Sequence, residues 1–284
     1  MNRALVIGAD GLIGGTLVDH LRERGVDVAC TSFLPHPGCP HLDLAGGLAG
    51  WTPPVVDVAF LCAAVTSLAA CAADPAGSAA INVIGTLSAA TALLEAGAFV
   101  VFLSSNLVLD GSLPLASAQT TRSPKTEYGR QKAAVEAALL GSPSADRVGV
   151  MRFTKVLGDR WGLVEGWAAD LMAGKPIHPF TGMVVAPVAL GRAIDALVEV
   201  GMRRLGGVSP AFGLGRSHLY RDRSAPRRAL GRPASMVQPV PPVLRLSTYR
   251  HRRSSAPRYL LGPAPSPWRR SSRSSAASPP IHRR

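Results

Sequence analysis

From Arg3 to Phe153 the chain alternates short apolar runs with longer stretches in which apolar residues return every three to four positions. The short runs are residues 3–8, Val26–Thr31, Val55–Cys62, Ala98–Leu103 and Arg147–Phe153. They are apolar on both faces, the pattern of strands in a parallel sheet covered on both sides. Between them, Leu12, Ile13, Leu17, Val18 and Leu21 share one helical face and Gly25 closes that helix. A second helix is predicted over about Ile81–Ala96, closed by Gly97, and a third over Glu127–Leu140. The alternation predicts an α/β fold built on a doubly wound parallel sheet, which binds ligands at the carboxyl ends of its strands.

Composition changes this picture near Val208. Residues 1–208 carry 15 Lys and Arg against 17 Asp and Glu, whereas residues 209–284 carry 16 Arg, no Lys and the single acid Asp222. The net charge of +13 is therefore a property of the last stretch, which is rich in Arg, Pro and Ser and shows no sustained period. Such a stretch cannot readily bury a core, so we divide the chain into an ordered part, 1–208, and a basic tail, 209–284, expected to lack fixed structure. A GC-rich gene read out of frame after Val208 would produce this break. The rival reading is a basic arm for nucleic-acid phosphates, including Arg250, Arg252 and Arg253. Nothing in 1–208 is basic enough to assist it, so nucleic acid is not the expected partner. No run is read as long enough for a membrane span, and a cytoplasmic protein is expected. Cys30, Cys39, Cys62 and Cys71 show no CxxC spacing and are read as reduced structural thiols.

Two motifs carry the chemistry. Gly8, Gly11 and Gly14 sit where the first strand turns into the first helix; residues without side chains allow a tight turn and let a pyrophosphate approach the helix N-terminus. A glycine turn with no ligand is the plain alternative. The acid that commonly follows the second strand and binds ribose hydroxyls is absent from Ala29-Cys30-Thr31-Ser32-Phe33. Small hydroxyl residues there leave room for a 2′-phosphate, which points to NADP, with NAD as the alternative. Arg3 and Arg22 are the available cations. Asp43 could accept from an adenine amino group or simply form a turn. Tyr128 and Lys132 lie four apart, one above the other on a helix. A phenol titrates near 10 in water, and a neighbouring ammonium group would lower that value and also hold ribose hydroxyls; a solvated Tyr/Lys face is the alternative. Ser105, in Ser104-Ser105-Asn106 after an apolar strand, would present its hydroxyl at the sheet edge to a substrate carbonyl. His36, His41 and His178 have no ligand or triad spacing and are assigned to structure or surface.

These residues resemble the extended short-chain dehydrogenase/reductase family, and most of all its dTDP-4-dehydrorhamnose reductase-like, sugar-nucleotide-binding branch. The resemblance runs over about residues 3–208. It rests on the Gly8/Gly11/Gly14 turn, Cys62-Ala63-Ala64, Asn82-Val83-Ile84-Gly85-Thr86, Ser104 to Gly111, Tyr128-Gly-Arg-Gln-Lys132 and Arg152-Phe153. It implies a Rossmann domain with part of a substrate lobe at about 155–190, an NADP or NAD cofactor, and carbonyl chemistry on a nucleotide-activated sugar. Tyr128 would be the proton donor, Lys132 its activator and ribose anchor, and Ser105 the catalytic hydroxyl. Gly8, Gly11, Leu12, Ile13, Gly14, Asp43, Leu44, Ala63 and Ala64 would line the cofactor. The branch commonly reads Ser-Thr-Asp-Tyr-Val-Phe-Asp-Gly where this chain has Ser104 to Gly111, with Ser105, Asn106, Leu107 and Leu109 differing. The polar contacts of the Asp and Tyr are lost, so specificity for the rhamnose precursor does not follow. An epimerase or dehydratase would use the same pieces, a non-catalytic dinucleotide-binding regulatory subunit would keep the fold without turnover, and a homodimer is left open. If the tail is a frame change, resequencing the gene or shifting its reading by one base after Val208 restores an amphipathic helical pattern; an unaltered frame with no such pattern removes that explanation.

Overall fold

The computed structural model describes residues 1–113, 116–158, 162–178, 184–211, 217–218 and 236. In chain order, β1 (Arg3–Ile7), α1 (Leu12–Glu23), β2 (Asp27–Thr31) and β3 (Val58–Leu61) come first. Next are α2 (Leu68–Ala73), α3 (Pro75–Ala79), a π-helical turn Ala80–Gly85, α4 (Thr86–Glu95), β4 (Phe99–Ser105), α5 (Glu127–Leu140) and β5 (Val148–Phe153). β6 (Val156–Leu157), α6 (Gly162–Met172), β7 (Val184–Val185), β8 (Val188–Ala189), α7 (Leu190–Arg203), β9 (Gly207–Ala211) and β10 (Ser217–His218) follow.

Six strands form one wholly parallel sheet in the order β2-β1-β3-β4-β5-β9. The chain winds outward from β1 in both directions, so a crevice opens at the carboxyl ends beside it. Alternate strand residues enter separate cores, as the strand period requires. Val6, Phe60 and Val101 pack with Leu17, Leu21, Ile194 and Leu197 of α1 and α7. On the other face, Leu5, Ile7, Phe102 and Val150 pack with Leu93, Val135 and Leu139 of α4 and α5. Each fully buried Leu or Phe contributes about 2 kcal/mol through apolar surface withdrawn from water.

The sheet bears out the doubly wound, Rossmann-like reading, with corrections at particular places. Cys30 and Cys39 are bridged by a disulfide, not reduced thiols, with Cα atoms 4.9 Å apart. The loop after β2 doubles back, with Ser32 N–H on Pro40 O (3.1 Å) and Leu42 N–H on Ser32 O (2.9 Å), and this return brings Cys39 beside the strand end. Cys62 and Cys71 are free, as expected. The sheet also continues past the expected boundary at Val208. β9 pairs with β5 through Phe153↔Ala211 and tolerates Pro210 because it is an edge strand. Ser217–His218 pairs with β7, and Met236 packs with Trp167, Leu171 and Ile177. The remainder of the tail reading lies outside the described residues. Finally, helix begins at Pro75 and not near Ile81, because Asp74 caps it by accepting from Gly77 N–H (2.9 Å). The resulting run Pro75–Glu95, whose most apolar 18-residue window has mean hydropathy 1.5, is long and apolar enough to cross a membrane, contrary to the sequence expectation. Here its Ala89, Ala90, Leu93 and Leu94 are buried against the sheet.

Candidate active site

A cavity of about 1080 Å³ opens at the carboxyl ends of β1 to β5, and every residue predicted for the site lines it. Its floor is the turn from β1 to α1. The N–H groups of Gly8 and Ala9 both donate to Thr31 O at 2.9 Å, tying the turn to the end of β2. The three glycines serve different purposes. Gly8 has φ +94°, and a Cβ there would lie 2.6 Å from the Ala63 nitrogen. A Cβ on Gly14 would lie 2.1 Å from Gly8 O, so this glycine lets helix and strand touch. A Cβ on Gly11 would meet only Gly8 O at 3.5 Å, so that position is open toward the cavity. Gly11 is also the N-cap of α1, and no side chain caps the first turn, where Leu12, Ile13 and Gly14 line the cavity. Uncapped N–H groups, the helix dipole and a space that a methyl group would fill fit a dinucleotide pyrophosphate.

The opposite wall comes from β4 and α5. Thr126 caps α5 by accepting from Gly129 N–H (3.0 Å), and a Cβ on Gly129 would stand 2.2 Å from Leu107 O. The helix start therefore abuts the 3₁₀ turn Asn106–Val108 that follows Ser105. Ser105 Oγ accepts from Leu107 N–H at 3.2 Å, which leaves its own proton available to donate. Tyr128 and Lys132 share the buried face of α5; Lys132 Nζ donates to Leu103 O at 2.9 Å and stands 4.6 Å from the Phe102 ring centroid and 5.8 Å from that of Tyr128. Burial drives both titrations. It pushes the Lys132 ammonium down to about 8, opposed by its neighbours Cys62, Cys71 and Glu136. It pushes the Tyr128 phenol up to about 12, with Cys71 adding to the rise. The expected lowering of the phenol by Lys132 is thus overridden: desolvation dominates, and the ammonium is turned to a carbonyl of β4. At neutral pH this phenol holds its proton as a donor. Burial likewise pushes Cys62, on the cavity wall, up to about 12 and keeps it an unreactive thiol.

At the other end, Asp43, Leu44, Ala63 and Ala64 line the cavity. Asp43 is both a turn former, accepting from Ala45 N–H at 2.8 Å, and a rim residue, so its two sequence readings coexist. Neither Arg3 nor Arg22 reaches the cavity; Arg3 pairs with Asp27 at 2.9 Å at the opposite end of the sheet. His36 Nδ1 donates to Pro37 O (3.2 Å) and His41 Nδ1 to Phe33 O (2.9 Å), consistent with structural roles.

Sequence reasoning missed what holds the β4–α5 wall. Glu136, fully buried, receives Ser104 Oγ (2.5 Å), Arg152 Nε (3.0 Å) and Arg152 Nη2 (2.6 Å). Its signal was present: Tyr128, Lys132 and Glu136 continue at four-residue spacing on one face. A second network joins Asn82 to Val65 through two backbone bonds (2.8 and 2.9 Å) and to Gln131 Oε1 (2.8 Å), with Gln131 Nε2 on Ser78 Oγ (2.8 Å). Asp10, inside the glycine turn, also lines the cavity and was not among the predicted site residues.

Residues 1–166 match the model of a family described as RmlD substrate binding domain. A curated relative, methionine adenosyltransferase 2 subunit beta of Xenopus tropicalis, is 27% identical over 164 residues, 55% of this chain and 48% of that protein. The chain thus spans about half the length of the curated relative it matches. Among solved structures, the Thermus thermophilus UDP-glucose 4-epimerase in complex with NAD is similar at TM-score 0.70 and 24% identity, covering 84% of this chain and 86% of that one. A dTDP-4-dehydrorhamnose reductase from Clostridium acetobutylicum is similar at TM-score 0.70 and 21% identity, covering 84% and 83%. These two show the shared fold.

Two outcomes are expected from this geometry. Gly14→Ala should lose about 3 kcal/mol of stability by denaturant unfolding because backbone must move. Gly11→Ala should stay within about 1 kcal/mol of the parent yet bind NADH about tenfold more weakly by fluorescence titration. Wild-type affinity in Gly11→Ala would remove the cradle. The second concerns pH. The folded state binds fewer protons than the unfolded state at Lys132 between about pH 8 and the ordinary lysine value of 10.5, so this residue's contribution to stability rises with pH across that window. The unfolding free energy of the parent minus that of Lys132→Met should therefore climb from pH 8 to 10.5. A flat difference would show that the ammonium is not desolvated.

Proposed function

The chain belongs to the RmlD substrate binding domain family, and from that premise we propose that it is a pyridine-dinucleotide-dependent oxidoreductase reducing a carbonyl on a nucleotide-activated sugar. The observation that carries this reading is that Tyr128, Lys132 and Ser105 line the same cavity as the Gly8–Gly14 turn. A bound reduced nicotinamide would supply the hydride. Tyr128, whose phenol stays protonated, would donate its proton to the carbonyl oxygen, and the Ser105 hydroxyl would share the developing negative charge. Lys132 would stabilise the phenolate left behind and anchor ribose hydroxyls, at the cost of its own desolvation. Gly8, Gly11, Leu12, Ile13 and Gly14 would hold the pyrophosphate side, with Asp43, Leu44, Ala63 and Ala64 flanking the cofactor. Leu107, Leu109, Leu113 and Ala116 form an apolar stretch of the wall, suited to a sugar face with few hydroxyls, as in a deoxysugar. Reductase chemistry of the dTDP-4-dehydrorhamnose type is our first reading.

Epimerase or dehydratase chemistry would use the same residues in another order. A second class of reading, a dinucleotide-binding subunit without turnover, is favoured by the curated relative's name as a subunit. Oxidation of NADH and NADPH with a panel of nucleotide-activated ketosugars distinguishes them. We expect turnover in the parent and a loss of about a hundredfold or more in kcat in Tyr128→Phe. Turnover unaltered by Tyr128→Phe would overturn the catalytic assignment; dinucleotide binding with no turnover across the panel would favour the subunit reading.

A further inference from the structure

The carboxyl end of β2 is where this topology lays the adenosine ribose of a dinucleotide, and there the sequence offered no acid. The structure brings one from elsewhere. Asp10, inside the glycine turn, reaches across to the segment just past β2, where its Oδ1 accepts from Phe33 N–H (3.4 Å) and its Oδ2 from Leu34 N–H (3.2 Å). Its carboxylate thereby lies against the first residues beyond Thr31, on the cavity wall. Thr31, 6% exposed, belongs to the same wall, with its Oγ1 sealed from solvent and without a hydrogen-bond partner among the described residues. Ser32, the other small hydroxyl residue on this wall, donates its hydroxyl to Cys39 O (3.4 Å).

The charges at this end have one sign. Asp10 and Asp43 line it, whereas the cations among the described lining residues are Lys132 on α5 and Lys155 after β5, on the far side of β1. Arg22 is near β2, but its Nη2 is committed to Val28 O (3.4 Å) and Cys30 Sγ (3.6 Å), and it is not part of the wall. A 2′-phosphate would meet two carboxylates without a guanidinium or ammonium partner. A free 2′-hydroxyl would meet an acceptor carboxylate.

We propose that Asp10 is a specificity-determining residue that supplies from the glycine turn the acid missing after β2 and makes the cavity select NAD(H) over NADP(H). The inference rests on the dinucleotide reading of the cavity, and it reverses the preference that Thr31 and Ser32 suggested in the sequence. The space they leave is present, but a carboxylate borders it. A carboxylate directly beside a phosphate dianion in water-like surroundings is worth about tenfold in affinity, and the ratio should shrink as salt screens it.

The test is equilibrium binding of the full chain to NADH and NADPH, followed by nicotinamide fluorescence, with thermal unfolding to verify that each protein is folded. The parent should bind NADH about tenfold or more tightly than NADPH. Asp10→Asn, and Asp10→Ser as a second uncharged variant, should narrow that ratio chiefly by improving NADPH. Equal or tighter NADPH binding by the parent would overturn the inference while leaving the dinucleotide reading intact. A ratio unmoved in both folded variants would remove Asp10 as its cause. Folded parent that binds neither dinucleotide would overturn the reading itself, and the inference with it.

Discussion

A carboxylate with no access to water holds together the cavity wall made by β4, β5 and α5. Glu136 belongs to α5, and its partners Ser104 and Arg152 belong to β4 and β5; Arg152 Nη1 also donates to Ala118 O (3.1 Å), reaching the segment between β4 and α5. Two adjacent strands, a helix and a loop thus meet at one buried charge. Such a pair adds little net stability compared with a well-packed apolar substitute, yet loss of one partner costs about 3–5 kcal/mol because the other charge remains buried. What it provides is register. Glu136 lies one turn beyond Lys132 and two beyond Tyr128, so fixing it against the strands fixes the height and rotation of the other two.

The same desolvation governs the groups proposed to react. Lys132 is withdrawn from water, with one carbonyl and an aromatic face as its nearest partners, and its ammonium form is weakened accordingly. Tyr128 is held neutral by burial. A charge appearing on a substrate oxygen inside this cavity would be screened less than in water, so modest donors there count for more. At the other wall, Gly11 leaves backbone as the contact surface at the start of α1.

The parallel strands were legible because each is buried on both faces and therefore spelled in consecutive apolar residues, as in Val100-Val101-Phe102-Leu103. Helix α5 was legible to the residue, its capping Thr126 and closing Gly141 bounding a helical composition. β9 was not: Gly207-Val-Ser-Pro-Ala pairs along one edge and carries a proline, so it lacks the apolar run that marks a central strand. The glycine turn and the Tyr128/Lys132 pair could be read because both are local spacings. The Cys30–Cys39 bridge, the Glu136–Arg152 pair and the reach of Asp10 to Phe33 and Leu34 depend on which segments the fold brings side by side, and spacing in the chain does not encode them.

The contact between Gly129 and Leu107 has a mechanical meaning. Because no atom can be placed between helix and turn there, the hydroxyl of Ser105 and the phenol of Tyr128 are carried by what amounts to a single casting. Their relative height is therefore set when the chain folds, before any molecule enters the cavity.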